Sequence, residues 1–172
     1  NMECSVDNVA VFGADTDASP YDSGSYASST TYVTGKAVEL ACDKLKKQMC
    51  RIGAQLLGCT PEEVEFQAGK IVNPATGESV TAAQVGCKSQ LNSDEAAEAT
   101  ASHASPVSPP PFMVGMVEIE LDKETGHVEI LDYAAVVDCG TVVNPNLATV
   151  QVEGGLGQGI GMTLYENIQY TE

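Results

Sequence analysis

Residues 139–166 read CGTVVNPNLATVQVEGGLGQGIGMTLYE, and this stretch decides how the chain is read. It opens on a helix start signal, Asn144-Pro145, then sets Gln151, Glu153 and Gln158 among five glycines within eight positions. Each glycine in a regular element costs roughly 1 kcal/mol relative to alanine, through backbone entropy. A fold tolerates that cost where another helix or a bound ligand must come very close to backbone. The two amides offer donor and acceptor atoms without charge, which suits the edge of a heterocycle. The segment after Asn144 is therefore expected to be a helix, with Leu147, Val150, Gly154 and Gly157 as its close-contact face. A large polar cofactor is one partner for such a helix. A tightly packed core is the plainer alternative.

Familiar phosphate motifs are absent. Gly155, Gly157 and Gly159 alternate, but Ile160 and Met162 stand where a G-x-G-x-x-G fingerprint needs glycine, and no G-K-[ST] occurs. Glu153 is read as an ordinary solvated or paired helical glutamate, and Gln158, seven positions after Gln151 on the same face, as a secondary cofactor candidate.

Upstream, the order of elements mixes helix and strand. Val9–Phe12 is a short apolar run reading as a strand, ended by Asp15, Asp17 and Pro20. Val33, Ala37, Ala41, Leu45, Met49, Ile52 and Leu56 recur at helical spacing from Thr31, a helix about seven turns long stopped by Gly58. Thr60-Pro61-Glu62-Glu63 is a capping box opening a short second helix, and 64–72 reads as a hairpin turning at Ala68-Gly69. Residues 88–111, rich in Ala, Ser and Pro, read as a flexible linker with a brief helix near 94–101. Val117, Ile119 and Leu121 alternate with glutamates, turn at 122–126, and return from His127 to Val137 as a hairpin. The expected fold class is α+β. Its parts are a first lobe (1–87), the linker (88–111), and a hairpin with the glycine-rich helix (112–172).

With 24 acidic residues against 8 basic ones, the net charge of −16 argues against nucleic acid and anionic membrane as partners. Six cysteines show no C-x-x-C pair; Cys42 and Cys50 fall in the helical pattern and read as small buried thiols. No leader or long apolar run appears, so a reduced, cytoplasmic protein is expected. His103 and His127 lack partners at metal-ligand spacing, and Asp15, Asp17 and Asp22 lack the glycine and distal glutamate of a calcium loop. No metal ligand is assigned.

One further feature is the loop running from Gly24 through Ser25, Tyr26, Ala27, Ser28 and Ser29 into Thr30-Thr31. It leads to the N-terminus of the long helix, where free N–H groups and the positive end of the dipole favour an anion. Ordinary N-capping is the alternative, and it needs only one of these hydroxyls.

The run from Val137 to Glu166 resembles the molybdopterin-binding subunit of the molybdenum hydroxylases, the xanthine dehydrogenase and aldehyde oxidase family. Residues 14–38, ADTDASPYDSGSYASSTTYVTGKAV, resemble a second signature of that family, in the same order. Residues 60–72 and 117–140 match its style, so the resemblance covers nearly the whole chain. It implies that Ala27 and Ser28 approach the metal end of a molybdenum-pterin cofactor, while Thr30, Thr31 and Gln151 bind its pterin portion. Many members of the family carry arginine where this chain has Ser29, so one charged contact is missing.

The resemblance further implies hydroxylation of a purine, another N-heterocycle or an aldehyde, with molybdopterin or its dinucleotide as cofactor. A hydroxybenzoyl thioester reductase-like subunit is an alternative, as is a non-catalytic assembly domain retaining the fold. Partners implied are the remaining molybdopterin-binding domain and iron–sulfur and flavin portions, with a small-molecule substrate. The family's catalytic glutamate is expected beyond Glu172, so no catalytic residue is assigned. The chain is expected to be a piece of such a subunit, without cofactor or turnover when alone.

Overall fold

The computed structural model describes residues 1–91 and 96–171. Helix α1 (Thr30–Leu57) is followed by strands β1 (Glu65–Gln67), β2 (Lys70–Val72) and β3 (Ser79–Thr81) and helix α2 (Ala82–Leu91). Strands β4 (Phe112–Leu121) and β5 (Val128–Asp138) and helix α3 (Pro145–Leu164) complete the order. Helices with antiparallel sheets make this an α+β chain, as the sequence implies. It divides into two compact units, 1–106 and 107–172.

In the first unit α1 stops where the sequence places its stop. Gly58 takes the left-handed conformation at φ 69° and donates its backbone N–H to Ala54 O. Thr60 and Glu63 form the expected reciprocal capping box, although the element it opens is a single 3₁₀ turn, Pro61–Glu63. Antiparallel pairing of β1, β2 and β3 puts Ile71 opposite both Phe66 and Val80 at the centre of a small sheet. Ile71 is fully buried against Met49, Ile52 and Ala54 of α1. Val64, Val80 and Val85 complete a compact core of seven buried apolar residues, which keeps the loop before α1 on a rigid helix.

Several expectations fail in this unit for lack of, or because of, tertiary partners. Val9–Phe12 forms no strand, and Val11 and Phe12 are largely exposed, because no strand pairs with them. Strand β3 and helix α2 were not foreseen; Val85 of α2 is fully buried, so packing decides a segment of weak helical pattern. Residues 88–91, expected as linker, are helical, and Ala97 packs against the core while its N–H donates to Ser89 Oγ at 2.7 Å. The helix expected near 94–101 lies partly outside the described residues, and 96–101 are not helical. Cys42 and Cys50 are half-buried rather than core residues, and all six cysteines are unpaired. Burial pushes the Cys50 thiol up, opposed by the nearby Lys46 ammonium.

The second unit is built on the strongest hairpin pattern of the sequence. Its turn is organised by Asp122, whose carboxylate accepts from the N–H groups of Glu124 (2.8 Å) and Thr125 (3.3 Å) and from the Thr125 hydroxyl (2.7 Å). Those bonds hold the Asp122 carboxyl below its usual range. Gly126, at φ 76°, closes the turn. Pairing runs from Phe112↔Asp138 to Leu121↔Val128, with a register shift after Glu118 that leaves Leu131 as the extra residue of a bulge. One face therefore carries the pairs Met113/Val137, Val117/Tyr133 and Ile119/Ile130.

Helix α3 follows with Asn144 as N-cap, its side chain accepting from Leu147 N–H at 3.1 Å, and Pro145 at the first position. The helix exists as expected, yet its partly covered side is Val152, Leu156, Ile160 and Leu164, not Leu147, Val150, Gly154 and Gly157. Leu147 and Val150 are 64% and 57% exposed. The reason is that the apolar residues of α3 are spread round the helix, with Glu153 its single charged residue, so periodicity cannot choose a face.

Candidate functional site

The polar loop before α1 has a definite conformation. Asp22 Oδ1 accepts from Gly24 N–H at 2.7 Å, Tyr26 Oη donates to Ser23 O at 2.7 Å, and Ser29 N–H donates to Tyr26 O at 3.1 Å. Asp17 N–H likewise donates to Asp15 Oδ1 at 2.9 Å, so these aspartates act as turn formers. Between Tyr26 and Ser29 the chain places Ala27 and Ser28 at φ 50° and 56°. Left-handed backbone costs a residue with a Cβ roughly 1–2 kcal/mol, so two in succession make this a strained loop.

The helix that follows is not capped in the ordinary way. Ser29 stands at the N-cap with no side-chain capping bond, and no acidic residue lies in the first turn. The positive end of a 28-residue helix lies at Thr30 and Thr31, both exposed. The N-capping alternative weighed from the sequence is not what these hydroxyls do at Ser29. Replacing Ala27 with glycine tests the strain directly. Ala27→Gly is expected to stabilise the chain by about 1 kcal/mol, since glycine takes positive φ without penalty but adds unfolded-state entropy. Denaturant midpoints of the two proteins check this.

In the second unit, Gln151 sits early on α3 and lines an apolar groove of about 810 Å³ between α3 and the β4–β5 hairpin. Val152, Leu156 and Ile160 border the same groove from the helix, opposite Val117, Ile119 and Ile130 of the hairpin. Gln158 is exposed and does not line it. The expected site residues therefore fall into two groups: Ala27, Ser28, Thr30 and Thr31 in the first unit, and Gln151 in the second. A smaller hollow of about 320 Å³, bordered by Lys46, Lys47, Cys50 and Arg51 on α1, was not singled out from the sequence. Only the clustering of bases at 44–51 in so acidic a chain could have pointed to it. Among the described residues no three His, Cys, Asp or Glu side chains come together as a metal site, and no helix is long and apolar enough to cross a membrane.

A family described as "Molybdopterin cofactor-binding domain" matches residues 1–172. The "Probable hypoxanthine oxidase XdhD" of Escherichia coli (strain K12) is 31% identical over 170 residues, covering 98% of this chain and 18% of that protein. The "Carbon monoxide dehydrogenase large chain" of Hydrogenophaga pseudoflava is 25% identical over 167 residues, covering 94% and 21%. The crystal structure of a Cu,Mo-CO dehydrogenase in its carbon monoxide reduced state is similar with a TM-score of 0.67 and 25% identity, over 91% of this chain and 20% of that one. The chain thus spans about a fifth of the length of the curated relatives it matches. With a family match over the whole chain and the fold in agreement, the chain belongs to the molybdopterin cofactor-binding domain family of the molybdenum hydroxylases.

Proposed function

We propose that this chain supplies part of the cofactor site of a molybdenum hydroxylase, with Ala27, Ser28, Thr30, Thr31 and Gln151 contacting a molybdenum-pterin cofactor. The observation that carries this reading is the strained loop: consecutive left-handed residues at 27 and 28 lead into a helix N-terminus that the Ser29 side chain does not cap. Backbone N–H groups and the helix dipole at Thr30 and Thr31 favour the negative charge of a phosphate, oxo or dithiolene group. Gln151 presents a neutral amide that both donates and accepts, which matches a pterin edge. The residues present therefore fit the group.

When bound, that cofactor would supply the oxygen-transfer and two-electron chemistry by which such enzymes hydroxylate an electron-poor carbon, in the form of molybdopterin or its dinucleotide. This chain's residues bind and orient it: the loop neutralises charge without a cation, and Gln151 fixes orientation by hydrogen bonds. A purine, another N-heterocycle or an aldehyde is the substrate class we assign, by analogy with the relative named a hypoxanthine oxidase. Catalytic glutamate, iron–sulfur and flavin portions are assigned to partner domains or subunits, in keeping with the relative named a "large chain".

Metal and pterin analysis tests the reading. The polypeptide purified from its native host with its associated subunits is expected to carry molybdenum and pterin in stoichiometric amount, whereas the 172-residue chain alone retains none and turns over no xanthine or aldehyde. Molybdenum bound one-to-one by the lone chain, with turnover, would show that it holds a complete site. A native complex with neither metal nor pterin would favour a non-catalytic assembly domain.

A further inference from the structure

The chain has 24 acidic residues and only 8 basic ones, yet half of those bases, Lys44, Lys46, Lys47 and Arg51, fall within eight consecutive positions of α1. Lys46, Lys47, Cys50 and Arg51 share one face, since 46/50 and 47/51 are each four residues apart. Like charges at that spacing repel, so the pairing of Lys47 with Arg51 works against helix stability. The face borders the hollow of about 320 Å³, which Pro61, Glu62 and Val64 complete from the segment after the helix. Its cations are only partly answered within the chain. The Lys46 ammonium lies 5.4 Å from the centre of the Phe66 ring and 3.8 Å from Glu3 Oε1, with its side chain 25% exposed. Glu3 is also engaged elsewhere, its Oε2 accepting from Ala68 N–H at 2.8 Å. Glu63 belongs to the capping box, its carboxylate accepting from Thr60 N–H at 2.8 Å. Lys47 and Arg51 are exposed and form no ion pair among the described residues. Three positive charges therefore border the hollow against the single negative charge of Glu62.

We propose that this hollow binds a small dianion of the phosphate type, with Lys46, Lys47 and Arg51 as its cations. The excess of positive charge over Glu62 matches a dianionic head group, and the guanidinium of Arg51 offers the forked donor pair that suits phosphate oxygens. Size limits the ligand. Ligand clefts run from about 300 to 1,000 Å³, so this one holds a phosphate with a small organic body but no dinucleotide. Cys50, Pro61 and Val64 supply an apolar wall, which favours a phosphate monoester over the free ion. Lys46 stands about 24 Å along α1 from Thr30, at 1.5 Å of rise per residue, so the hollow is separate from the loop assigned to the cofactor.

Titration calorimetry of the 172-residue chain with phenyl phosphate, inorganic phosphate and chloride, at constant ionic strength, tests the proposal. Phenyl phosphate is expected to bind one-to-one and about threefold more tightly than inorganic phosphate, with no heat of binding from chloride. Parity between the two phosphates would assign the site to the free ion. Lys47→Ala and Arg51→Ala are each expected to weaken binding by about fivefold, as for partly exposed charge pairs. Glu62→Gln removes the opposing charge and is expected to tighten binding by about twofold. All three side chains are exposed, so melting temperatures stay near the parent value and separate loss of ligand from loss of fold. Cys50 gives a second readout. Burial pushes its thiol up and Lys46 opposes that shift, so a bound dianion that offsets Lys46 and covers the sulfur leaves less thiolate to react. Iodoacetamide labelling at Cys50, read by peptide mapping, is expected to slow by about fivefold with phenyl phosphate and not with chloride. Equal binding or equal protection by chloride overturns the proposal, as do affinities unmoved by Lys47→Ala and Arg51→Ala. A hexaglutamate peptide that binds more tightly than either phosphate also overturns it, since the face would then be a dock for an acidic polypeptide.

Discussion

Gly53→Val is expected to cost the first unit about 3 kcal/mol, enough to remove much of its stability. Gly53 lies buried on α1, where a Cβ would stand 2.7 Å from Ile71 Cγ2 and 2.9 Å from Ile71 Cβ. Ile71 has no room to retreat: it is fully buried on the central strand, between Phe66 and Val80. Overpacking of this kind typically costs 1–3 kcal/mol, and the second Cγ of valine adds its own collision and a restricted rotamer. Alanine at the same site sets the clash against about 1 kcal/mol of helix propensity, so Gly53→Ala loses less. Folded domains have roughly 5–15 kcal/mol in total, and a core of seven buried apolar residues belongs at the low end of that range. Gly86→Ala is the control. Nothing lies within 4 Å of a Cβ there, so α2 is expected to gain up to about 1 kcal/mol. Urea unfolding followed by circular dichroism reads both signs; equal midpoints for Gly53→Val and the parent would mean that α1 does not depend on close approach to β2.

This glycine also shows where sequence reasoning reaches its limit. The period of Val33 to Leu56 places α1 within one residue of its observed ends, because the apolar face and the Gly58 stop are both local signals. Asp122 and Gly126 likewise reveal their turn without help from the rest of the chain. Gly53, by contrast, looks like any tolerated helical glycine until the sheet is known. Strand β3 and helix α2 were missed for the same reason, since Val80 and Val85 become core residues only when α1 is there to cover them.

The candidate site is legible in a different way. The serine/threonine loop was recognisable by its hydroxyls and its place before α1, but nothing in the letters ASS announces left-handed backbone at Ala27 and Ser28. That strain is a property of the folded loop, and it strengthens the reading independently of any family. On α3 the sequence failed to choose the face because its apolar residues are spread round the helix rather than gathered in one stripe.

Gln151 carries the prediction with the largest functional effect. In the complete enzyme Gln151→Ala is expected to remove one or two hydrogen bonds to the cofactor, each worth about 0.5–1.5 kcal/mol net and more where a buried partner is left unpaired. Cofactor occupancy and turnover fall together. Stability of the cofactor-free form is expected to change by less than occupancy does, because Gln151 is exposed on α3. Gln151→Glu removes the donor and adds a negative charge facing an anionic dithiolene and phosphate. At the low effective dielectric of an enclosed site this repulsion exceeds the loss of a neutral bond, so Glu is expected to be the worse variant by about tenfold in occupancy, about 1.4 kcal/mol. That ordering distinguishes a cofactor contact from a structural amide: a helix-surface role predicts Glu, the better helix neighbour of water, to match or exceed Ala. Molybdenum and pterin content of the two purified variants, measured beside the melting temperature of their cofactor-free forms, decides between them. Parental occupancy and activity in both would place Gln151 outside the site.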